Sequence, residues 1–270
     1  MSLSRRTLLA SLAATAVSAG LQGCSKKIPG GSQLAAEEPG PDPLGAAQRL
    51  LNQATDLLVT AYPETASSAG IDQGEYAHLK AQLTDRSAQG QALIETDIRA
   101  VLTQLRNVDL SSVPEDVGLD IDVVRTMFET AVHGFDFEFG DNPMLNLNWS
   151  YRPSPYAVAQ NTGAFVEIPS FLDASHKIET VDDVDAYLSR LEAYAGQLDG
   201  ETERSARYGA NGYILADVFL AKTIAQLEGA RSSTPEQWSL VTHLAKQAAT
   251  LNSGAGEQAA SIANDRILPA

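Results

Sequence analysis

Apolar residues that recur at intervals of three and four are the strongest constraint on how this chain folds. In the first such segment Asp42 is a suitable N-cap, Pro43 fits the first helical turn, and Pro63 ends or interrupts the pattern. An α-helix has 3.6 residues per turn, so this spacing places the apolar side chains on one face. The residues on that face are Leu44, Ala47, Leu51, Ala54, Leu58 and Ala61.

The same periodicity predicts five further helices. They cover about residues 87–106, a segment from about 114, a segment from 180, residues 213–229 and residues 234–251. Two of them begin with sequences that resemble capping boxes, at 180–183 and at 234–237. The only strand-like alternation, at 135–139, is too short and isolated to form a sheet. The sequence therefore predicts an all-α, multi-helix array in one domain over residues 44–270.

The N-terminus has the features of an export signal. Arg5 and Arg6 form a twin-arginine pair, an apolar stretch follows at 8–17, and small residues lead to Cys24 in a lipobox-like sequence. The alternative is a transmembrane helix, but the apolar run is shorter than the roughly 18–20 residues needed to span a bilayer. We predict a signal peptide over residues 1–23, lipid attachment at Cys24, and a protein anchored to a membrane of the cell envelope.

Composition limits the other possibilities. Residues 24–43 are rich in proline, glycine, serine and charge, which predicts a flexible linker. Cys24 is the only cysteine, so no intrachain disulfide can form, and its acylation would leave no thiol for catalysis. The formal net charge of −15 would repel nucleic acid, which we do not expect as a partner.

The segment 140–178 differs from the rest because it is rich in proline and aromatic residues. Long connections of this kind are often functional. One interpretation is a hydrophobic loop that clamps helices together, and the other is a groove that binds a ligand. If it is a groove, its candidate cleft wall is formed by Trp149, Tyr151 and Tyr156.

We find no set of residues that could catalyse a reaction or hold a metal. The two histidines closest in sequence are 43 residues apart, and none is followed by glutamate, so the H-E-x-x-H zinc motif is absent. The acidic clusters at 115–122 and 182–185 lack the spacing of a calcium loop, and G-x-S-x-G is missing. The sequence predicts no catalytic residue, metal ligand or cofactor in this chain. Its histidines are His78, His133, His176 and His243.

Three segments, taken in order, are similar to one family. The first contains a Tyr-Pro-Glu opening, the second a tryptophan and a Pro-Tyr pair, and the third a Pro-x-Phe-Leu sequence that leads to Tyr-Leu-x-Arg-Leu. They are Ala61-Tyr62-Pro63-Glu64 with Gly70-Ile71-Asp72, then Trp149 with Pro153-Ser154-Pro155-Tyr156, and then Ile168-Pro169-Ser170-Phe171-Leu172 through Tyr187-Leu188-Ser189-Arg190-Leu191.

On these segments, over about residues 44–270, the chain resembles the bacterial domain-of-unknown-function family 885. Its members resemble helical zinc metallopeptidases of the carboxypeptidase Taq type. The resemblance implies the N-terminal part of a larger helical fold, with zinc expected in full-length relatives at a His-Glu motif in their C-terminal half. No family metal ligand has a counterpart here, so we expect a truncated or split member.

Three functional hypotheses follow. The leading one is the N-terminal portion of an exported zinc-peptidase-like lipoprotein that walls a substrate cleft and is inactive alone. Its partners would be a peptide substrate or a missing C-terminal portion. The alternative is a non-enzymatic envelope lipoprotein that binds a partner or ligand through 140–178. The third is a decayed fragment with exposed apolar faces that does not fold stably.

Overall fold

The computed structural model describes residues 42–141, 145 and 154–270, and within them the apolar periodicity is realised as helices. The α-helices are α1 (Pro43–Ala61), α2 (Pro63–Ala69), α3 (Ala88–Arg106), α4 (Glu115–Phe135), α5 (Ala164–Ala174), α6 (Val181–Ala210), α7 (Asp217–Ala230), α8 (Ser239–Gln247) and α9 (Ala255–Ile262). Tighter 3₁₀ turns occur at Gly74–Ala81, Leu110–Ser112 and Pro235–Gln237, and a π turn occupies Ala263–Ile267.

The all-α prediction is confirmed. Over the residues that the structure describes, extended pairing is limited to isolated bridges, between Asp141 and Ser154 and between Ala159 and Thr162. The predicted signal peptide and all but the end of the predicted linker lie outside the described residues. In the described part of the chain, no helix is both long and apolar enough to cross a lipid bilayer.

Three helix starts follow from local sequence. The Asp42 carboxylate accepts a hydrogen bond from the Gly45 amide at 2.9 Å, and the Ser87 hydroxyl accepts one from Gly90 at 3.0 Å. Helix α6 begins with the predicted capping box, because Thr180 and Asp183 each bond the other's backbone amide. Each of these caps satisfies an N–H that has no partner inside its helix.

The second predicted capping box, at 234–237, is wrong. The Thr234 side chain makes no capping bond, and residues 235–237 form only a 3₁₀ turn. Trp238 then adopts an extended backbone (φ −65°, ψ 142°) and packs against the apolar core, so α8 begins at Ser239. That helix ends at Gln247 rather than near residue 251.

Helix α5 was not predicted, because proline normally disrupts a helix interior. Pro169 lies inside α5 and has no N–H to donate. The helix nevertheless buries Ile168, Phe171 and Leu172 in the core. We conclude that packing stabilises α5 against the cost of its proline, and that the 140–178 segment is partly helical.

The apolar core is divided into two main clusters. The N-terminal cluster joins α1, α3 and α4, and Ile98, Leu105 and Phe128 are among its fully buried residues. The C-terminal cluster joins α5, α6, α8 and α9 around residues such as Leu172 and Leu244. Helix α6, with 30 residues, contacts α3 as well as α5, α9 and the 74–81 turn, and so connects the two clusters.

Candidate functional site

A set of polar and charged side chains is buried along one face of α6, and we call it the polar layer. Its members from α6 recur at helical spacing, so they project on one side of the helix. They bond to α2, to the 79–87 segment and to the start of α5. The members are Glu64, Ser67, Thr84, Arg86, Glu167, His176, Asp183, Arg190, Gln197, Glu201 and Arg204.

Arg86 pairs with two buried carboxylates. Its Nη1 donates to Glu201 at 2.8 Å, and its Nη2 donates to Glu167 at 2.6 Å. Burial raises the pKa of Glu201, while Arg86 opposes this rise. Glu201 also accepts the Ala164 amide at 2.8 Å, and Glu167 accepts the Gly163 amide at 3.3 Å. These bonds fix the start of α5 against α6.

Arg204 lies one turn beyond Glu201 on α6 and holds the other end of the 141–163 segment. Its Nη2 donates to the Gly140 carbonyl at 2.9 Å and to the Asp141 carboxylate. Asp141 in turn forms a two-bond bridge with Ser154, at 2.8 and 2.9 Å. Charge-assisted bonds of this kind are stronger than neutral ones. Two neighbouring turns of α6 therefore anchor both ends of this segment.

Arg190 is fully buried and is held by neutral groups. It donates to the Gln82 carbonyl at 3.0 Å, to the Leu79 carbonyl at 3.1 Å and to the Ser67 hydroxyl at 2.7 Å. Its guanidinium carbon lies 4.9 Å from the centre of the Phe171 ring. Burial lowers the pKa of Arg190 to about 10, so it remains charged at neutral pH.

His176 is the one histidine in the polar layer. Burial, together with the charge of Arg190, lowers its pKa to about 4, so the ring is neutral at pH 7. Its Nδ1 accepts from Arg190 at 2.8 Å, which leaves Nε2 to donate to the Asp183 carbonyl at 2.9 Å. Both ring nitrogens are therefore engaged in holding the fold.

Two cavities border helix α7. The first, of about 510 Å³, lies between residues 154–162 and α7 and is lined by Tyr156, Leu215 and Phe219 among others. The second, of about 560 Å³, lies beside α5, α6 and the end of α7. Its walls include Phe165, Tyr194, Leu198, Glu201, Leu227 and Trp238. Concave, mostly apolar sites with a few polar groups are typical of ligand binding.

The structure describes one of the three predicted cleft-wall residues. Tyr156 lines the first cavity, whereas Trp149 and Tyr151 lie outside the described residues. The export and lipidation residues Arg5, Arg6 and Cys24 also lie outside them. Of the predicted cleft wall, the structure therefore describes Tyr156 at the first cavity, and the second cavity is lined by other residues, among them Phe165 of α5 and Tyr194 of α6.

The histidines are distributed over different parts of the fold. His78 and His133 are exposed, and His243 pairs with Asp173 at 2.8 Å. Within residues 42–141, 145 and 154–270, no group of three His, Cys, Asp or Glu side chains is placed to hold a metal ion. These described residues therefore do not fit a zinc site.

Sequence reasoning missed the polar layer. Arg190, Gln197, Glu201 and Arg204 recur at steps of seven, four and three, the spacing expected of a buried helix face. The signal that could have revealed the layer is that these polar residues repeat at the same helical spacing as a buried apolar face.

The sequence model of the family described as "Bacterial protein of unknown function (DUF885)" matches residues 63–270. The chain belongs to this family. The resemblance found in the sequence is thereby confirmed for the DUF885 family, and the match begins at Pro63, the first residue of α2.

A solved structure shares the DUF885 chain's fold. It is the crystal structure of "the putative lipoprotein from Colwellia psychrerythraea", which superposes with a TM-score of 0.71 at 16% sequence identity. The similarity covers 83% of this chain but only 39% of that one, so this chain corresponds to well under half of the longer protein. No curated protein sequence is significantly similar to the chain.

Proposed function

We propose that this chain is the N-terminal helical portion of an exported lipoprotein that resembles zinc-dependent peptidases, and that it forms one wall of a substrate cleft but is inactive alone. The observation that carries the proposal is the fold match, which covers 83% of this chain and 39% of a chain about twice as long. That longer protein is described as a "putative lipoprotein", in agreement with the lipobox-like sequence that ends at Cys24.

The role proposed for this portion is to position the wall of the cleft. The described residues do not fit zinc, so we assign no step to the metal here. Glu201 and Arg204 hold the two ends of the 141–163 segment, and Phe165 and Tyr194 face the adjoining cavity. A preorganised wall binds substrate with less loss of conformational entropy than a loose one.

The inactivity of the chain can be tested directly. We expect no turnover when the purified chain is incubated with zinc and a peptide library. Hydrolysis that a chelator abolishes and added zinc restores would overturn this part of the proposal. The DNA downstream of codon 270 tests the other part: a reading frame that continues into a His-Glu motif supports a peptidase, and a stop followed by an unrelated gene contradicts it.

A second function is a non-enzymatic envelope lipoprotein that binds a partner or ligand through the 140–178 segment. It is favoured by the two cavities, because Tyr156 lines the first and Phe165 and Pro169 line the second. Titration of the chain with a peptide library tests it by calorimetry. Binding that Phe165→Ala weakens and Leu93→Ala, at an exposed position on α3, leaves unchanged would support it, and the absence of any binding would contradict it.

A further inference from the structure

Helix α7 is apolar but exposed. Of its 14 residues only Thr223 is buried, while Val218 is 58%, Phe219 50% and Ile224 45% exposed. Apolar residues occur on most sides of this helix, and a helix with that composition is normally buried inside a protein. The exposure of α7 therefore requires an explanation.

The outward side of α7 is shaped for close contact with another helix. Val218, Ala221, Ala225 and Gly229 are all exposed and fall on one side at helical spacing. A Cβ atom added to Gly229 would meet no other atom within 4 Å, so the space in front of it is open. Small side chains let the axes of two packed helices approach closely.

The apolar surface continues beyond α7. Tyr213 and Ile214 precede the helix and are exposed, and the Phe139 ring stacks on Tyr213 with centroids 4.1 Å apart. Phe137 meets Phe139 edge-on at 5.9 Å. Single exposed apolar residues are ordinary, but a contiguous group of them marks an interaction site. The α7 surface, as we call it, consists of Phe137, Phe139, Tyr213, Ile214, Val218, Phe219 and Ile224.

We infer that the α7 surface is the docking site for an apolar helical polypeptide, namely the part that longer chains of this fold carry beyond the portion matched here. The inference rests on the proposed function. The length of the solved neighbour supports this occupant, because more than half of that chain has no counterpart here. The two cavities beside α7 provide recesses for the side chains of such a partner.

Charge argues against the other occupants. Helix α7 and its C-cap carry Asp217, Lys222, Glu228 and Arg231, which balance, so an apolar partner meets no net charge. A second copy would bring together two chains of −15 each, which repel at long range. Helices that lie on membranes have a polar face rich in lysine and arginine, and α7 has a single lysine and no such face.

The test uses the polypeptide encoded immediately downstream of codon 270, expressed as a separate chain and mixed with this one. We expect a one-to-one complex in size-exclusion chromatography with light scattering. The double substitution Val218→Asp/Ala225→Asp should weaken association at least about 100-fold, since both residues lie on the outward side of α7 and would be desolvated in the contact. Val123→Asp is the matched control, because Val123 on α4 is also 58% exposed and should leave association unchanged.

Two further measurements distinguish lost binding from misfolding and locate the contact. Circular dichroism melts show whether each variant is folded, and amide hydrogen exchange in the unsubstituted chain should show protection of residues 213–230 on complex formation. The inference is overturned if no downstream polypeptide is encoded or none binds. It is also overturned if the chain alone forms a dimer, or binds phosphatidylcholine vesicles, and the double substitution abolishes that behaviour.

The docking inference and the proposed function can fail separately. A complex that depends on α7 but hydrolyses no peptide in the presence of zinc leaves the docking surface standing and refutes the peptidase proposal. Zinc-dependent hydrolysis by a complex whose formation is unchanged by Val218→Asp/Ala225→Asp refutes the docking surface alone.

Discussion

The positive charges of two buried arginines on one face of α6 are stabilised by different kinds of partner. Arg204 faces the carboxylate of Asp141, whereas the partners of Arg190 are two carbonyls, a hydroxyl, an imidazole and an aromatic ring. The charges of Glu64 and Asp72 favour the charged form of Arg190, but its direct partners are neutral, so their hydrogen bonds must replace its hydration. The fork of donors on the guanidinium makes this possible for Arg190, and a lysine has no such fork.

Arg190→Lys should therefore destabilise the fold by about 2–4 kcal/mol, because carbonyls of the 79–82 segment lose their donors while a charge stays buried. Urea unfolding measures this change in the free energy of unfolding. Arg207→Lys serves as the control, since Arg207 lies on the same helix but is exposed, and it should change stability by less than about 0.5 kcal/mol. Equal effects of the two substitutions would contradict our account of Arg190.

His176 predicts a specific dependence of stability on pH. Its pKa in the fold, about 4, lies below the ordinary value of 6.5, so the unfolded chain binds more protons between those values. Stability from His176 is therefore complete above about pH 6.5 and is lost as the pH falls towards 4. The total loss is about 3 kcal/mol, at roughly 1.4 kcal/mol for each pKa unit.

Comparison with His176→Gln isolates this contribution. Unfolding in urea at several pH values between 7.5 and 4 should show wild-type stability falling more steeply than that of the variant. Asp183 titrates in a different range: burial raises its pKa, but the bonds from Lys80 and from backbone amides outweigh this and lower it to about 2. If the difference in the free energy of unfolding between wild type and variant stays constant with pH, the pH dependence does not come from His176.

At the scale of elements, α6 approaches the start of α3 through a glycine. A Cβ atom added to Gly200 would lie 2.8 Å from the Ser87 nitrogen and 2.9 Å from its Cα, both backbone atoms. Ser87 is also the N-cap of α3, so it cannot move without loss of its bond to Gly90. The close contact of the two helices therefore depends on the missing side chain at position 200.

Gly200→Ala should lower the free energy of unfolding by about 1–3 kcal/mol through this overpacking. Gly196→Ala, one turn earlier on α6, is the control, because a Cβ atom there would meet nothing within 4 Å. It should stabilise the protein by up to about 1 kcal/mol, since alanine favours a helix over glycine. Chemical denaturation of both variants measures these changes. Stabilisation by Gly200→Ala would contradict the close contact inferred at position 200.

The elements also show what the sequence could and could not predict. The box at 180–183 was predictable because both of its hydrogen bonds are local. The box at 234–237 failed because Trp238 packs into the core, a tertiary contact that the local pattern does not contain. Helix α5 was missed because Pro169 indicates a helix break in the sequence, whereas the burial that stabilises the helix is visible only in the fold. Of the predicted cleft residues, Tyr156 lines a cavity, whereas Trp149 and Tyr151 lie outside the described residues. The polar layer was not predictable from local patterns, because its bonds join residues more than 60 positions apart.

At the scale of the whole molecule, the polar layer links the two apolar clusters. Arg86 precedes α3, which belongs to the N-terminal cluster, and its two carboxylate partners belong to α5 and α6, which form part of the C-terminal cluster. The clusters share few apolar residues, so we infer that cooperative unfolding depends on these ion pairs. A decayed fragment, by contrast, would melt broadly and without cooperativity.

Wild-type protein should therefore unfold in one transition that far-UV circular dichroism and tryptophan fluorescence report alike. Trp149→Phe is used as the background, so that fluorescence reports Trp238, which packs against the C-terminal cluster. Arg86→Met in that background leaves two buried carboxylates unpaired, a cost of about 3–5 kcal/mol. The transition reported by circular dichroism and the one reported by fluorescence should then no longer coincide. Arg99→Met, which removes two ion pairs near the surface, should keep the two transitions coincident. Coincident transitions in Arg86→Met would show that the clusters are coupled by other contacts, and a broad melt of the background protein would favour the decayed fragment.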